Sequence, residues 1–134
     1  MHLRLVFTVV LLGACGSDGA PPPTCTGTSC SCPTGGACDI GDSACAGNSC
    51  SLDCGNDNEC VGSCGTSCSV DCNGGSTCNL VVGASGSIDC SGGSTCNIRC
   101  TDSCSLNCGP GSTCTIQCAD DGSPVAVEGS AQCE

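Results

Sequence analysis

The sequence predicts an all-β fold: a small disulfide-stapled β-solenoid with 18-residue coils, with an antiparallel β-meander as the alternative. Three observations lead there. Cysteines recur at near-regular intervals, short units of alternating character repeat every 18 residues, and glycine-rich connectors of five and three residues alternate between them. Within a unit, Cys, an aliphatic residue and Cys point one way, while Ser, Asn, Asp or Thr point the other, which is the period of two of a half-buried strand. That period, the β-branched residues and the glycines exclude a helix.

The units fall into two alternating series from Cys50 onward. One reads "CSLDC" at 50, "CSVDC" at 68, "GSIDC" at 86 and "CSLNC" at 104. The other reads "CVGSC" at 60, "CNLVV" at 78, "CNIRC" at 96 and "CTIQC" at 114, of which, Val82 counted as a variant of the outer Cys, only the first departs, with Gly62 at its centre. The long connectors are "GNDNE", "NGGST", "SGGST" and "GPGST", and the short ones "GTS", "GAS" and "TDS". Their glycines supply the positive φ that tight reversals need. A meander would leave a whole face of aliphatic and sulfur atoms uncovered. A solenoid buries that face between two sheets, and stacking favours identical units at a fixed period.

The cysteine rhythm lapses twice, at Val82 and Gly86, on either side of the connector "GAS". Losing one of two bonded cysteines strands a thiol, whereas losing both strands none. The lapse therefore implies that these two columns pair across the short connector, as Cys64–Cys68 and Cys100–Cys104. The intact columns then pair across the long connectors, as Cys54–Cys60, Cys72–Cys78, Cys90–Cys96 and Cys108–Cys114. Cys50 has Ala46 where a regular partner would stand, and Cys45 serves instead, giving Cys45–Cys50. Cys25–Cys30, Cys32–Cys38 and Cys118–Cys133 complete ten bonds. Each closes a short loop worth roughly 2 kcal/mol in the chain-entropy reading. With few large apolar residues beside them, the reduced chain is expected not to fold.

The N-terminus reads "MHLRLVFTVVLLGAC": one early Arg, an apolar run from Leu5 to Leu12 too short to span a bilayer, then small residues. The segment Leu12-Gly13-Ala14-Cys15 resembles the lipobox of bacterial lipoproteins. That resemblance implies cleavage before Cys15 and lipidation of Cys15, with palmitate among the acyl chains. It divides the chain into a signal peptide (1–14), a lipidated cysteine and Pro-rich tether (15–24) and a Cys-rich β-repeat domain (25–134). Parity agrees: of 21 cysteines, setting Cys15 aside leaves 20 for pairing. Gly16 stands where an Asp would favour inner-membrane retention in that family, so the resemblance points to an extracytoplasmic, outer-membrane or cell-surface location, with the membrane as partner through the lipid.

Without residues 1–14 the chain has no His, Lys, Phe, Tyr or Trp, and Arg99 stands alone against 13 carboxylates, a side-chain charge of −12. No basic patch exists to neutralise phosphates and no aromatic platform to stack bases, which excludes nucleic-acid binding. Nucleophilic catalysis lacks its usual base, so no enzyme activity and no cofactor are expected. Carboxylates remain for acid–base work or weak Ca²⁺ binding. The candidates are Asp53, Asp71 and Asp89 in one column continued by Asn107, about 4.8 Å apart in a stacked coil; a solvated row that keeps the sheet soluble is the plainer reading.

Other resemblances are partial. The period and "GGS" resemble calcium-binding β-rolls, but "NGGST" and "SGGST" lack the second glycine and the turn Asp of that motif, so its sites are not carried over. Metallothioneins are similarly Cys-rich and poor in aromatics, yet depend on dense C-x-C and C-x-x-C, of which only "CSC" at 30–32 occurs. Metal–thiolate function is the lesser alternative in an oxidising compartment. The outward column Ser51, Ser69, Ser87 and Ser105 resembles the hydroxyl rows of ice-binding solenoids, but as Ser-x-Asp rather than Thr-x-Thr. The expected function is a structural or adhesive envelope lipoprotein. A binding module for a divalent cation, a polysaccharide or ice is the alternative.

Overall fold

The computed structural model describes residues 21–41, 45, 47, 49–119 and 122–134. Cys15, the signal segment and the first part of the tether lie outside the described residues. Thirteen strands run in chain order: β1 (Thr24–Thr26), β2 (Ser29–Ser31), β3 (Ala37–Asp39), β4 (Ser51–Asp53), β5 (Glu59–Cys64), β6 (Ser69–Cys72), β7 (Thr77–Val82), β8 (Gly86–Cys90), β9 (Thr95–Cys100), β10 (Cys104–Cys108), β11 (Thr113–Cys118), β12 (Val125–Val127) and β13 (Gly129–Cys133). They form two sheets, ordered β1-β2-β4-β6-β8-β10-β13 and β12-β11-β9-β7-β5-β3. Successive coils thus contribute one strand to each sheet, a β-solenoid of about five turns.

Like units stack in parallel at the 18-residue period. Val70 registers with Ile88 and Ile88 with Leu106, while Leu80 registers with Ile98 and Ile98 with Ile116. Neighbouring coils therefore pair as parallel ladders, and the antiparallel meander is not adopted. The alternation of each unit sends its aliphatics and cysteines between the sheets: Leu52, Val70, Ile88 and Leu106 from one side, Leu80, Ile98 and Ile116 from the other, all buried. The interior is one layer of branched side chains flanked by sulfur on both edges, the thin core that this composition permits.

Three departures from strict repetition explain the irregular units. The first coil is longer, since Ser29 registers with Ser51 and Ala37 with Glu59, both 22 residues on. At its end Ile40 is fully buried, and a Cβ placed on Gly62 would lie 3.0 Å from Ile40 Cγ1 and 2.9 Å from the Gly41 amide nitrogen. Ile40 thus occupies the space that Leu80 fills one coil later, and Gly62, at φ 122°, makes room for it.

The third departure is at the ends, where pairing turns antiparallel. β1 folds back on β2, β12 on β11 and β13 on β10. At the open side of β3, Asp39 N–H donates to the Pro21 carbonyl. Short antiparallel strands and a proline-bearing segment terminate edges that would otherwise continue to pair in parallel, which is the usual need of a repeat stack.

Candidate functional site

A stack of flat strands offers its chemistry as columns, so the candidate sites here are two outward faces and two columns of sulfur. On the outer face of the β2–β13 sheet, Ser29, Ser51, Ser69, Ser87 and Ser105 stand in register, and beside them Ser31, Asp53, Asp71, Asp89 and Asn107. The three carboxylates are exposed, one per coil. Two have local donors: the Gly55 N–H donates to Asp53 Oδ1 at 2.8 Å, and Asn73 Nδ2 to Asp71 Oδ1 at 3.1 Å. Ser130 Oγ donates to Asn107 Oδ1 at 3.3 Å, so the C-terminal cap closes the row. A shallow depression lined by Ser85, Ser87, Ser103, Ser105, Gln132 and Glu134 lies at the other end of these strands.

The outer face of the opposite sheet carries a second polar row that reading by cysteines passes over. Thr77, Thr95 and Thr113 are in register, and so are Asn79, Asn97 and Thr115. Here the side chains are linked from coil to coil. Asn97 Nδ2 donates to Asn79 Oδ1 at 2.8 Å, and Thr115 Oγ1 donates to Asn97 Oδ1 at 2.9 Å. The signal was present in "TCN", "TCN" and "TCT" at 77, 95 and 113, an 18-residue repeat of hydroxyl and amide flanking a cysteine. Val81, Arg99 and Gln117 form the next column, so the face is polar but not uniform.

The connectors hold a buried polar column of their own. Asn58 Oδ1 accepts from the Gly35 and Gly36 amides at 2.6 and 3.0 Å, and its Nδ2 donates to the Cys54 carbonyl. One coil later Ser76 takes that position, its hydroxyl donating to the Asn73 carbonyl at 2.6 Å with the Gly55 carbonyl alongside.

All twenty described cysteines are bonded, in the pairs Cys25–Cys30, Cys32–Cys38, Cys45–Cys50, Cys54–Cys60, Cys64–Cys68, Cys72–Cys78, Cys90–Cys96, Cys100–Cys104, Cys108–Cys114 and Cys118–Cys133. Across the long connectors from Cys54–Cys60 onward the Cα atoms are 6.1 to 6.4 Å apart, across the short ones 6.1 Å, and in Cys32–Cys38 5.6 Å, all within the span a disulfide bridges. Each repeating coil is closed on itself. Stacking also packs sulfurs of adjacent coils into groups of three within 4.8 Å of one another. Bonded sulfurs offer no thiolate to a metal, so these groups are cation donors only in a reduced chain.

Comparison with protein-family models, with curated proteins and with solved structures finds no match to this chain.

Proposed function

We propose that this chain is a lipid-anchored extracytoplasmic protein with a structural or adhesive role, attached through Cys15 and without catalytic activity of its own. The observation that carries this reading is the division of the molecule. All the described cysteines are bonded, those of the repeating coils between the sheets, and both outer faces are flat rows of small polar side chains in register. Hydroxyls, amides and carboxylates at a fixed spacing suit repeated hydrogen bonding to a polar, extended partner. They lack the paired base and nucleophile that covalent catalysis needs. Short covalent clamps in every described coil suit persistence where an oxidising medium keeps them closed.

A second reading, a polysaccharide-binding module, is favoured by the hydrogen-bonded Asn79–Asn97–Thr115 row, which holds its side chains in place before any ligand arrives. The anchor is tested by replacing Cys15 with Ser and fractionating the cells. Release of the variant from the membrane fraction is expected, and unchanged retention refutes the lipid anchor. Thermal unfolding with and without Ca²⁺ and with cell-envelope polysaccharides separates the two roles. A saturable upward shift with polysaccharide establishes the binding module, and no shift leaves the structural role.

A further inference from the structure

The disulfides of the long connectors form a ladder. Its rungs are Cys32–Cys38, Cys54–Cys60, Cys72–Cys78, Cys90–Cys96 and Cys108–Cys114. One rail is the parallel register of Cys38, Cys60, Cys78, Cys96 and Cys114, and the other includes Cys72, Cys90 and Cys108. Sulfurs of successive rungs approach one another along the first four rungs. Cys60 joins the Cys32–Cys38 pair, Cys78 the Cys54–Cys60 pair and Cys72 the Cys90–Cys96 pair, each trio within 4.8 Å. The closest of these approaches given by the structure is Cys32 Sγ to Cys60 Sγ, at 3.0 Å. The short-connector column is built the same way but is broken. Val82 and Gly86 stand between Cys64–Cys68 and Cys100–Cys104.

Among the described residues, cysteines with exposed surface lie only at the ends of the stack. Every cysteine from Cys38 to Cys114 is buried, whereas Cys25 and Cys32 are half-buried and Cys118 is exposed. Of these three, only Cys32 belongs to the unbroken column.

We propose that the long-connector column is a thiol–disulfide exchange ladder, entered at Cys32–Cys38 by an external dithiol. One thiolate of the dithiol attacks Cys32 Sγ, forming a mixed disulfide, breaking the Cys32–Cys38 bond and releasing Cys38 as the thiolate. The second thiol of the dithiol then attacks its own sulfur in that mixed disulfide, leaving as a cyclic or intramolecular disulfide and freeing Cys32. The dithiol has lost two electrons and two protons, and the protein holds two thiols. Cys32 thiolate next attacks Cys60 Sγ, forming Cys32–Cys60, breaking Cys54–Cys60 and releasing Cys54. Cys54 lies against Cys78, and the same step there releases Cys72, which lies against Cys90 and Cys96. No step after the first changes the number of thiols. Each trades a bond within a coil for a bond between coils of the same kind, so the equilibrium is close to even and the thiol spreads along the column. In the other column the gap at Val82 and Gly86 stops such an exchange, because no sulfur is there to receive it. This inference needs only the fold and stands apart from the membrane anchor.

The test is the full-length Cys38→Ser variant, which carries one unpaired ladder sulfur without any added reductant. The protein is alkylated at neutral pH after hours of incubation and mapped under non-reducing conditions by mass spectrometry. The ladder predicts a Cys32–Cys60 cross-link, with less than half of the ladder alkylation on Cys32 and the rest on Cys54, Cys72 and beyond. Label confined to Cys32, with no Cys32–Cys60 cross-link, overturns it. Should the variant fail to fold, the wild-type protein treated with one equivalent of dithiothreitol answers the same question. Expected is label on Cys38 together with a ladder cysteine other than Cys32. Label restricted to Cys32 and Cys38, or absent from the ladder altogether, overturns the proposal.

Discussion

Val82 fills the space that Gly86 leaves empty: a Cβ added to Gly86 would collide with Val82 Cγ1, and Val82 itself is fully buried. In the coils before and after, the same two positions hold the disulfides Cys64–Cys68 and Cys100–Cys104. One branched side chain and one missing side chain thus replace a pair of linked sulfurs at nearly constant volume. The two substitutions are coupled by packing as well as by thiol pairing.

This coupling has a direct consequence for stability. Gly86→Ala should lower stability by about 1–3 kcal/mol, the usual effect of overpacking a closed site. Adding Val82→Ala should relieve part of that loss, a non-additivity measurable by a double-mutant cycle in chemical denaturation. Val82→Cys with Gly86→Cys should form an additional bond across "GAS" and raise stability by roughly 2 kcal/mol. Two free thiols in the oxidised double variant would contradict the packing account.

Gly62 should be equally intolerant, for a different reason. Its φ of 122° is a conformation that side chains rarely adopt, and the Gly41 backbone and Ile40 stand against it. Gly62→Ala is expected to cost more than about 1 kcal/mol, because the positive φ strains any side chain and the Gly41 backbone nitrogen cannot swing aside as the Ile40 and Asp39 side-chain atoms beside it can. Gly93→Ala is the control, since its φ is also positive but open space surrounds it. Equal losses at the two sites would assign the effect to φ alone and remove the crowding from the explanation.

Asn58 ties the first coil to the second. Replacing it with Ala leaves the Gly35 and Gly36 amides without their acceptor and should cost about 1–3 kcal/mol. Hydrogen exchange should show the loss locally, as faster exchange at Gly35 and Gly36 with protection at Ile98 and Leu106 unchanged. Uniform acceleration throughout the stack would mean that the coils unfold as one unit.

The architecture was legible because one unit, Cys-polar-aliphatic-polar-Cys, states both its local geometry and its period. Alternation makes the strand, and the 18-residue spacing of Val70, Ile88 and Leu106 makes the parallel stack. The caps were not legible, since β1, β12 and β13 fall outside that period and their antiparallel direction is set by the turns that reverse the chain. The same is true of Ile40, whose role appears only once the 22-residue first coil brings it against Gly62. The Asp53, Asp71 and Asp89 row was visible as a column. The Asn79–Asn97–Thr115 row is harder to see, because its residues alternate with the inward cysteines whose repeat dominates the sequence. Contacts between sulfurs of different coils, such as Cys32 with Cys60, are invisible to any reading that assigns partners along the chain.

Disulfides bridge only the connectors of single coils through the repeats, and one cut puts this to the test. Among the described residues no disulfide joins a residue before Gly83 to one after Ser85. A protease site inserted at Ala84 in the oxidised protein, cleaved and then run in denaturant without reductant, should give two separate fragments, with six bonds in the first and four in the second. Fragments that stay joined until reductant is added would show that cysteines pair along the stack, and the self-closed coil would have to be abandoned.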